Sequence, residues 1–115
     1  MTARKPDVGV DGFAGLDMRV GTVTAVHPFP EARKPAWKLT VDFGPIVGSL
    51  ATSAQVTNYT AHDLVGRQVV GAINLGSRRI AGFVSQFLVL GGVDPDGTVH
   101  LLRPDTEMPP GSPVA

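Results

Sequence analysis

Glycine and proline interrupt this chain so often that it has little room for a long helix: they account for 14 and 10 of its 115 residues. Both are turn formers, glycine because it reaches positive φ and proline because it fixes φ and removes a backbone donor. The stretches between them are short and rich in β-branched residues, so the chain reads as short strands joined by turns. Trp37, Leu39, Val41 and Phe43 alternate with Lys38, Thr40 and Asp42, the period of a half-buried strand. Residues 18–27 hold Val20, Val23 and Val26 among threonines, and their uneven spacing predicts a strand with a bulge or bend near Gly21. Further strands are predicted at 46–52, after the Gly44-Pro45 turn, and at 67–75 around Val69, Val70 and Ile73. Residues 86–90 carry four successive apolar side chains, Phe87 to Leu90, and read as a strand buried on both faces. Residues 98–102 follow the turn Asp94-Pro95-Asp96-Gly97 and close a hairpin.

Helix is confined to single turns. Thr60 and Asp63 have the spacing of a capping box, and Gly66 ends that helix. Residues 13–16 form a second short turn. The last residues contain Pro109, Pro110 and Pro113, so the tail is expected to be extended or loosely paired. The small helix between the third and fourth strands matches the all-β OB-fold, a five-stranded Greek-key barrel. On periodicity alone a β-sandwich fits as well.

The length is that of one domain, and 43% hydrophobic residues suit a globular core. The expected organisation is a flexible N-terminal arm over 1–12, of mixed charge, and one OB-fold domain over 13–115. The lack of cysteine excludes a disulfide framework, a thiol nucleophile and a thiolate metal site. No apolar run opens the chain or approaches the length of a membrane span, so a cytoplasmic protein with no membrane insertion is expected.

Catalytic constellations are absent from the pattern. His27, His62 and His100 fall on different elements with no metal-ligand spacing between them. The residues around Ser85 do not form a nucleophile elbow, and there is no glycine-rich phosphate loop with a lysine. Asp94, Asp96 and Gly97 resemble the start of a calcium loop, but the later ligands are missing. The expectation is a protein that is not an enzyme, with no cofactor and no metal.

Binding is better supported. Formal net charge is zero, yet no acidic residue lies between Asp63 and Asp94, a span that holds Arg67, Arg78 and Arg79. A neutral chain can therefore present a basic face. Arg78 and Arg79 are adjacent on an extended segment and so point to opposite sides. They read either as a phosphate clamp or as two solvated arginines. Arg33, Lys34 and Lys38 lie in and just after the loop between the first two strands, which in OB-folds flanks the oligonucleotide face. Trp37 could stack on a base, but its parity with Leu39 marks it as core or interface. Lys38 has the opposite parity and is expected to be exposed. Gln55, Asn74, Ser85 and Gln86 could add neutral hydrogen bonds to sugar or phosphate.

Several blocks resemble one family in order along nearly the whole chain: Leu16-Asp17-Met18-Arg19-Val20-Gly21, Phe29-Pro30-Glu31-Ala32-Arg33, Lys38 to Gly44, Ser53-Ala54-Gln55-Val56-Thr57, and Arg78-Arg79-Ile80-Ala81-Gly82-Phe83. Ser85 and Leu88-Val89-Leu90-Gly91 extend the last block. The sequence resembles the CsaA family of stand-alone tRNA-binding domains, which are similar to the C-terminal domain of some methionyl-tRNA synthetases. The resemblance implies an OB barrel with extra terminal elements, a homodimer, and tRNA as partner. It also implies a chaperone role toward unfolded or export-bound polypeptides and the export machinery. It places Arg78, Arg79 and Ser85 in the RNA-associated block, and Arg33, Lys34 and Lys38 in the basic loop region. Two positions depart from the pattern. Leu75-Gly76-Ser77 stands where members often have Phe-Pro-Pro, which implies a more flexible turn. Val84 stands where a lysine is usual, which implies weaker phosphate contact at each of two symmetric sites.

Two functions follow as expectations. The first is a non-catalytic homodimeric tRNA-binding protein. The second is a chaperone whose apolar groove Phe13, Phe29, Trp37 and Phe83 could line.

Overall fold

A computed structural model describes residues 2–115. A short helix, α1 (Gly9–Ala14), precedes β1 (Met18–Pro28), and β2 (Trp37–Asp42) returns antiparallel to it. A four-residue helix, α2 (Gly44–Val47), leads into β3 (Ser49–Ala54). The third strand therefore starts later than the sequence pattern predicts. Pro45 presets the first helical turn, and Ile46 projects into solvent, 87% exposed. The helix α3 (Ala61–Leu64) then precedes β4 (Gln68–Ala72). Two hairpins follow, β5 (Arg78–Ile80) with β6 (Phe83–Ser85), and, after the short β7 (Leu88–Val89), β8 (Gly91–Val93) with β9 (Val99–Leu101).

Five strands form one antiparallel sheet in the order β3-β2-β1-β4-β7, and the two hairpins stand as separate two-stranded sheets. The five-stranded sheet curls until its edges meet. Gln86 N–H donates to the Ala51 carbonyl at 2.7 Å, and Ala51 N–H donates to the Gln86 Oε1 at 2.9 Å. Thr52 Oγ1 donates to the Phe87 carbonyl at 2.7 Å. The result is a nearly closed OB-type barrel with α3 between the third and fourth strands, as the sequence predicts.

The bulge expected near Gly21 is present in β1, a few residues further along. The register of β1 against β2 slips between Val23 and Ala25, not at Gly21. Gly21 is needed for a different reason. A Cβ there would lie 2.5 Å from Val41 Cγ1 and 2.8 Å from the Phe43 ring. Gly71 is similar, with Phe87 at 2.8 Å and Phe43 at 2.9 Å. Phe43 and Phe87 meet edge to face at 5.0 Å, so the two glycines make room for an aromatic pair at the centre of the core. Val23, Leu39, Val41, Ala54, Val56, Leu64, Val69 and Leu101 complete the buried cluster. Trp37 packs partly buried against it and donates Nε1–H to the Tyr59 carbonyl at 3.0 Å, in agreement with its parity.

Two further expectations are corrected. Residues 86–90 are not buried on both faces: Phe87 is 4% exposed but Leu88 is 53% exposed, because β7 has barrel on one side only. The tail is not loosely paired. Val20 N–H donates to the Ser112 carbonyl at 2.9 Å, Gly111 N–H to Val20 at 2.7 Å, and Val114 N–H to Met18 at 2.9 Å. These bonds fill the edge of β1 that β2, which pairs only from Thr22 onward, leaves free. Gln68, 8% exposed, clamps Met108 through both ends of its amide, at 2.7 and 2.9 Å.

Thr60 and Asp63 form the capping box read from sequence, with bonds at 3.1 and 3.2 Å. The Thr60 backbone N–H, accepted by the carboxylate, holds the Asp63 pKa below its ordinary value.

Two stability predictions result. Gly21→Ala should destabilise the fold by about 1–3 kcal/mol through overpacking, read as a lowered urea midpoint at unchanged slope. Asp63 has a depressed folded pKa, so its contribution is present above the ordinary carboxylate pKa and lost as pH falls through the folded value. Asp63→Ala should therefore lower the melting temperature at neutral pH, and the gap to the parent should close below the ordinary value of 3.8. A gap independent of pH would sink that assignment.

Candidate nucleic-acid interface

The loop after β1 begins at Phe29, which is 4% exposed and anchors it in the barrel. Beyond Phe29 the chain turns, with Ala32 N–H donating to the Phe29 carbonyl at 3.2 Å, and carries Arg33 and Lys34 out into solvent. On the other side, the β5–β6 hairpin turns through Ala81 and Gly82 at φ 48° and 81°. Positive φ at both central residues is the geometry of a type I′ turn, which suits the twist of a two-residue hairpin. Arg78 and Arg79 are both exposed on its first strand.

Between loop and hairpin lies an open groove of about 800 Å³. Arg33, Lys34 and Arg78 line it together with Gln55 and Ser53, and Ile80, Leu88, Val89 and Val99 form its apolar wall. No acidic residue is among those lining it. Arg79 faces away and donates to the Gly82 carbonyl at 3.3 Å, so the adjacent arginines divide as their alternation predicts.

The other sequence candidates lie outside the groove lining. Lys38 is half-buried, not exposed as its parity suggests, with its ammonium 4.7 Å from the Phe29 ring centre and 5.3 Å from that of Phe83. Ser85 is 9% exposed and its hydroxyl lies 2.9 Å from Thr52 Oγ1. Gln86 holds Ala51 across the barrel seam. Asn74 Oδ1 accepts from Asp17 N–H and its Nδ2 donates to the Gly15 carbonyl, both at 2.8 Å. The side chains of these three neutral residues thus already serve the fold. The apolar wall escaped the sequence reading because its residues come from three separate elements and share no local pattern.

The positions that depart from the family pattern have defined geometry. Gly76 sits at φ 84°, which a proline ring locked near −65° cannot adopt, so this turn differs in shape from a proline turn. Val84 is 40% exposed and pairs directly across from Arg79.

The three histidines are exposed, and His100 pairs with Asp94 at the β8–β9 hairpin. Among the described residues no group of three or more potential ligands could hold a metal ion. No helix among them is long and apolar enough to cross a membrane.

An OB barrel whose basic groove lies beside the loop joining its first two strands is the architecture of an oligonucleotide-binding module. The chain belongs to the family described as "Putative tRNA binding domain", whose pattern matches residues 18–113. It is 34% identical over 108 residues to the methionine–tRNA ligase of Porphyromonas gingivalis, covering 94% of this chain but only 16% of that protein. A similar match joins it to the ligase of Methanosarcina acetivorans, at 35% identity over 93% of this chain and 15% of the relative. Solved structures described as the chaperone CsaA superpose over the full chain of each. The one from Bacillus anthracis is 44% identical, with a TM-score of 0.90 over 96% of this chain and 100% of its own. The one from Picrophilus torridus is 40% identical, with a TM-score of 0.90 over 95% of this chain and 100% of its own. These relatives agree with the resemblance to CsaA drawn from the sequence blocks.

The hydrogen bonding of Ser85 gives a test of its role. Ser85→Ala removes one bond of the Thr52 hydroxyl and leaves its bond to the Phe87 carbonyl, so it should cost about 0.5–1.5 kcal/mol of stability. Affinity for RNA, measured well below the melting temperature, should stay within about twofold. A large loss of RNA affinity without loss of stability would make Ser85 a direct contact instead.

Proposed function

We propose that this domain binds tRNA without catalysis, holding the phosphate backbone with Arg33, Lys34 and Arg78 at the groove and with Arg79 on the outer face of the same hairpin. The observation that carries this reading is the groove itself, with three cations and no acid in its lining. Guanidinium forks hold phosphate bidentately, and a field of one sign steers a polyanion to the surface. Family membership and the tRNA ligase relatives support tRNA as the RNA. Lys38, Asn74, Ser85 and Gln86 belong to the supporting frame of that surface.

We further propose that the domain works as a homodimer in the cytoplasm. Val10, Phe13 and Leu16 on and beside α1 are 83, 46 and 42% exposed, an apolar face that a second copy would cover. The arm would then span 1–12, of which Met1 lies outside the described residues and the last four lie in α1, and the binding domain 13–115. A second reading has a specific basis too. Leu88 is exposed at the groove wall beside Ile80 and Val89, and such a wall suits an apolar stretch of unfolded or export-bound polypeptide. CsaA relatives are described as chaperones.

Fluorescence anisotropy of labelled bulk tRNA separates these readings. Binding should be saturable and should weaken steeply between about 50 and 200 mM salt. Arg78→Ala/Arg79→Ala should flatten the dependence of log affinity on log salt by about one per cation removed. Val84→Lys should steepen it by about one. Absence of tRNA binding at low salt, with suppression of client aggregation that persists at high salt, would transfer the groove to the polypeptide reading.

A further inference from the structure

The β5–β6 hairpin shares no strand pairing with the barrel sheet. An isolated two-stranded hairpin is marginal in water, so its side-chain anchors decide where its arginines sit. At its root Ser85 is tied to Thr52. Near its tip the anchor is Phe83, next to the Ala81-Gly82 turn. The Phe83 ring lies 5.5 Å from the Phe29 ring at 59°. Phe29 starts the loop that carries Arg33 and Lys34, so the two rings join the base of that loop to the tip of the hairpin that carries Arg78 and Arg79. The Lys38 ammonium lies over both rings, at 4.7 and 5.3 Å. Among the described residues it makes no ion pair, and it is absent from the groove lining. The faces of the two rings are what hold this half-buried charge.

We propose that Lys38 is a positioning residue for RNA binding: its ammonium, held over Phe29 and Phe83, locks the Arg33–Lys34 loop to the Arg78–Arg79 hairpin and so fixes the spacing of the groove's cations. The proposal rests on the tRNA reading above. It separates Lys38 from Arg78 by mechanism, although both are cations of one surface. A cation that touches phosphate contributes to the salt dependence of binding, whereas one that acts through the rings contributes to affinity with no counterion released.

The test compares Lys38→Met, which keeps the aliphatic stem, with Lys38→Arg, which keeps a cation able to sit on the rings. Each is titrated with labelled tRNA across salt, and backbone hydrogen exchange is followed in the free protein. Lys38→Met should weaken tRNA binding on the order of tenfold, the scale of a cation–π contact, with the salt slope unchanged. Exchange at 78–85 should speed up by a similar factor while the melting temperature holds, and Lys38→Arg should restore both. Phe83→Leu should reproduce the effect and should not add to that of Lys38→Met. A salt slope that falls by about one in Lys38→Met, with hairpin exchange unchanged, would overturn the proposal and make Lys38 a phosphate contact. Normal tRNA affinity in Lys38→Met would overturn it too. If the parent protein binds no tRNA, the tRNA reading fails, and faster hairpin exchange in Lys38→Met and Phe83→Leu, but not in Lys38→Arg, would still identify the ring clamp by itself.

Discussion

The seam between β3 and residues 85–87 is the contact on which the rest of this molecule depends. In the sheet order β3-β2-β1-β4-β7 both β3 and β7 are edges, and an open edge in so small a domain exposes unpaired backbone and half of the core. The seam is stitched by Gln86 to Ala51 and by Thr52 to Phe87. Closure buries Phe87 against Phe43 and leaves Leu88, the next residue, outside. It also fixes the root of the β5–β6 hairpin through Ser85, so the arginine that faces the groove inherits its place from a barrel hydrogen bond.

A second constraint acts at the other end of the barrel. β1 curls so strongly that it changes partners along its length, pairing with β4 over 18–22 and with β2 from Thr22 onward. A strand that leaves its neighbour exposes backbone groups, which need partners when sheltered from water. The C-terminal tail supplies them, although Pro109, Pro110 and Pro113 cannot donate. The donors come from Gly111 and Val114, between and beyond the prolines, and Gln68 fastens the approach at Met108. Proline content alone therefore understates how firmly a tail can pair.

Legibility followed the range of the interaction. The alternation at Trp37, Leu39, Val41 and Phe43, the capping box of Thr60 and Asp63, and the Asp94–Gly97 turn were readable because each is settled within a few residues. The short helix at α2 and the position of the slip at Thr24 were not, since nothing local marks that the Pro45 turn continues as helix and the slip depends on the curl of the whole sheet. The same division runs through the candidate site. Arg78 was identifiable as a cation in an acid-free span and Arg33 and Lys34 as cations of the loop between the first two strands, and they meet at the groove. Asn74, Ser85 and Gln86 looked equally available in the sequence, but their side chains bond to residues 33 to 59 positions away. Nothing near them in the chain marks that commitment.

The sequence by itself determined that this chain forms short strands and turns, carries six of its ten cations in two separated stretches, and lacks cysteine and with it thiol chemistry. Those properties are local or compositional, and the blocks around Lys38 and Arg78 sufficed to relate it to tRNA-binding domains. Only the tertiary structure decided which cations share a groove, which polar groups are already spent on the seam, and that Lys38 turns toward two aromatic rings and away from solvent. The physical reason is that burial and pairing belong to the closed barrel. Parity assigns a side chain to a face, but what covers that face comes from strands and hairpins far along the chain.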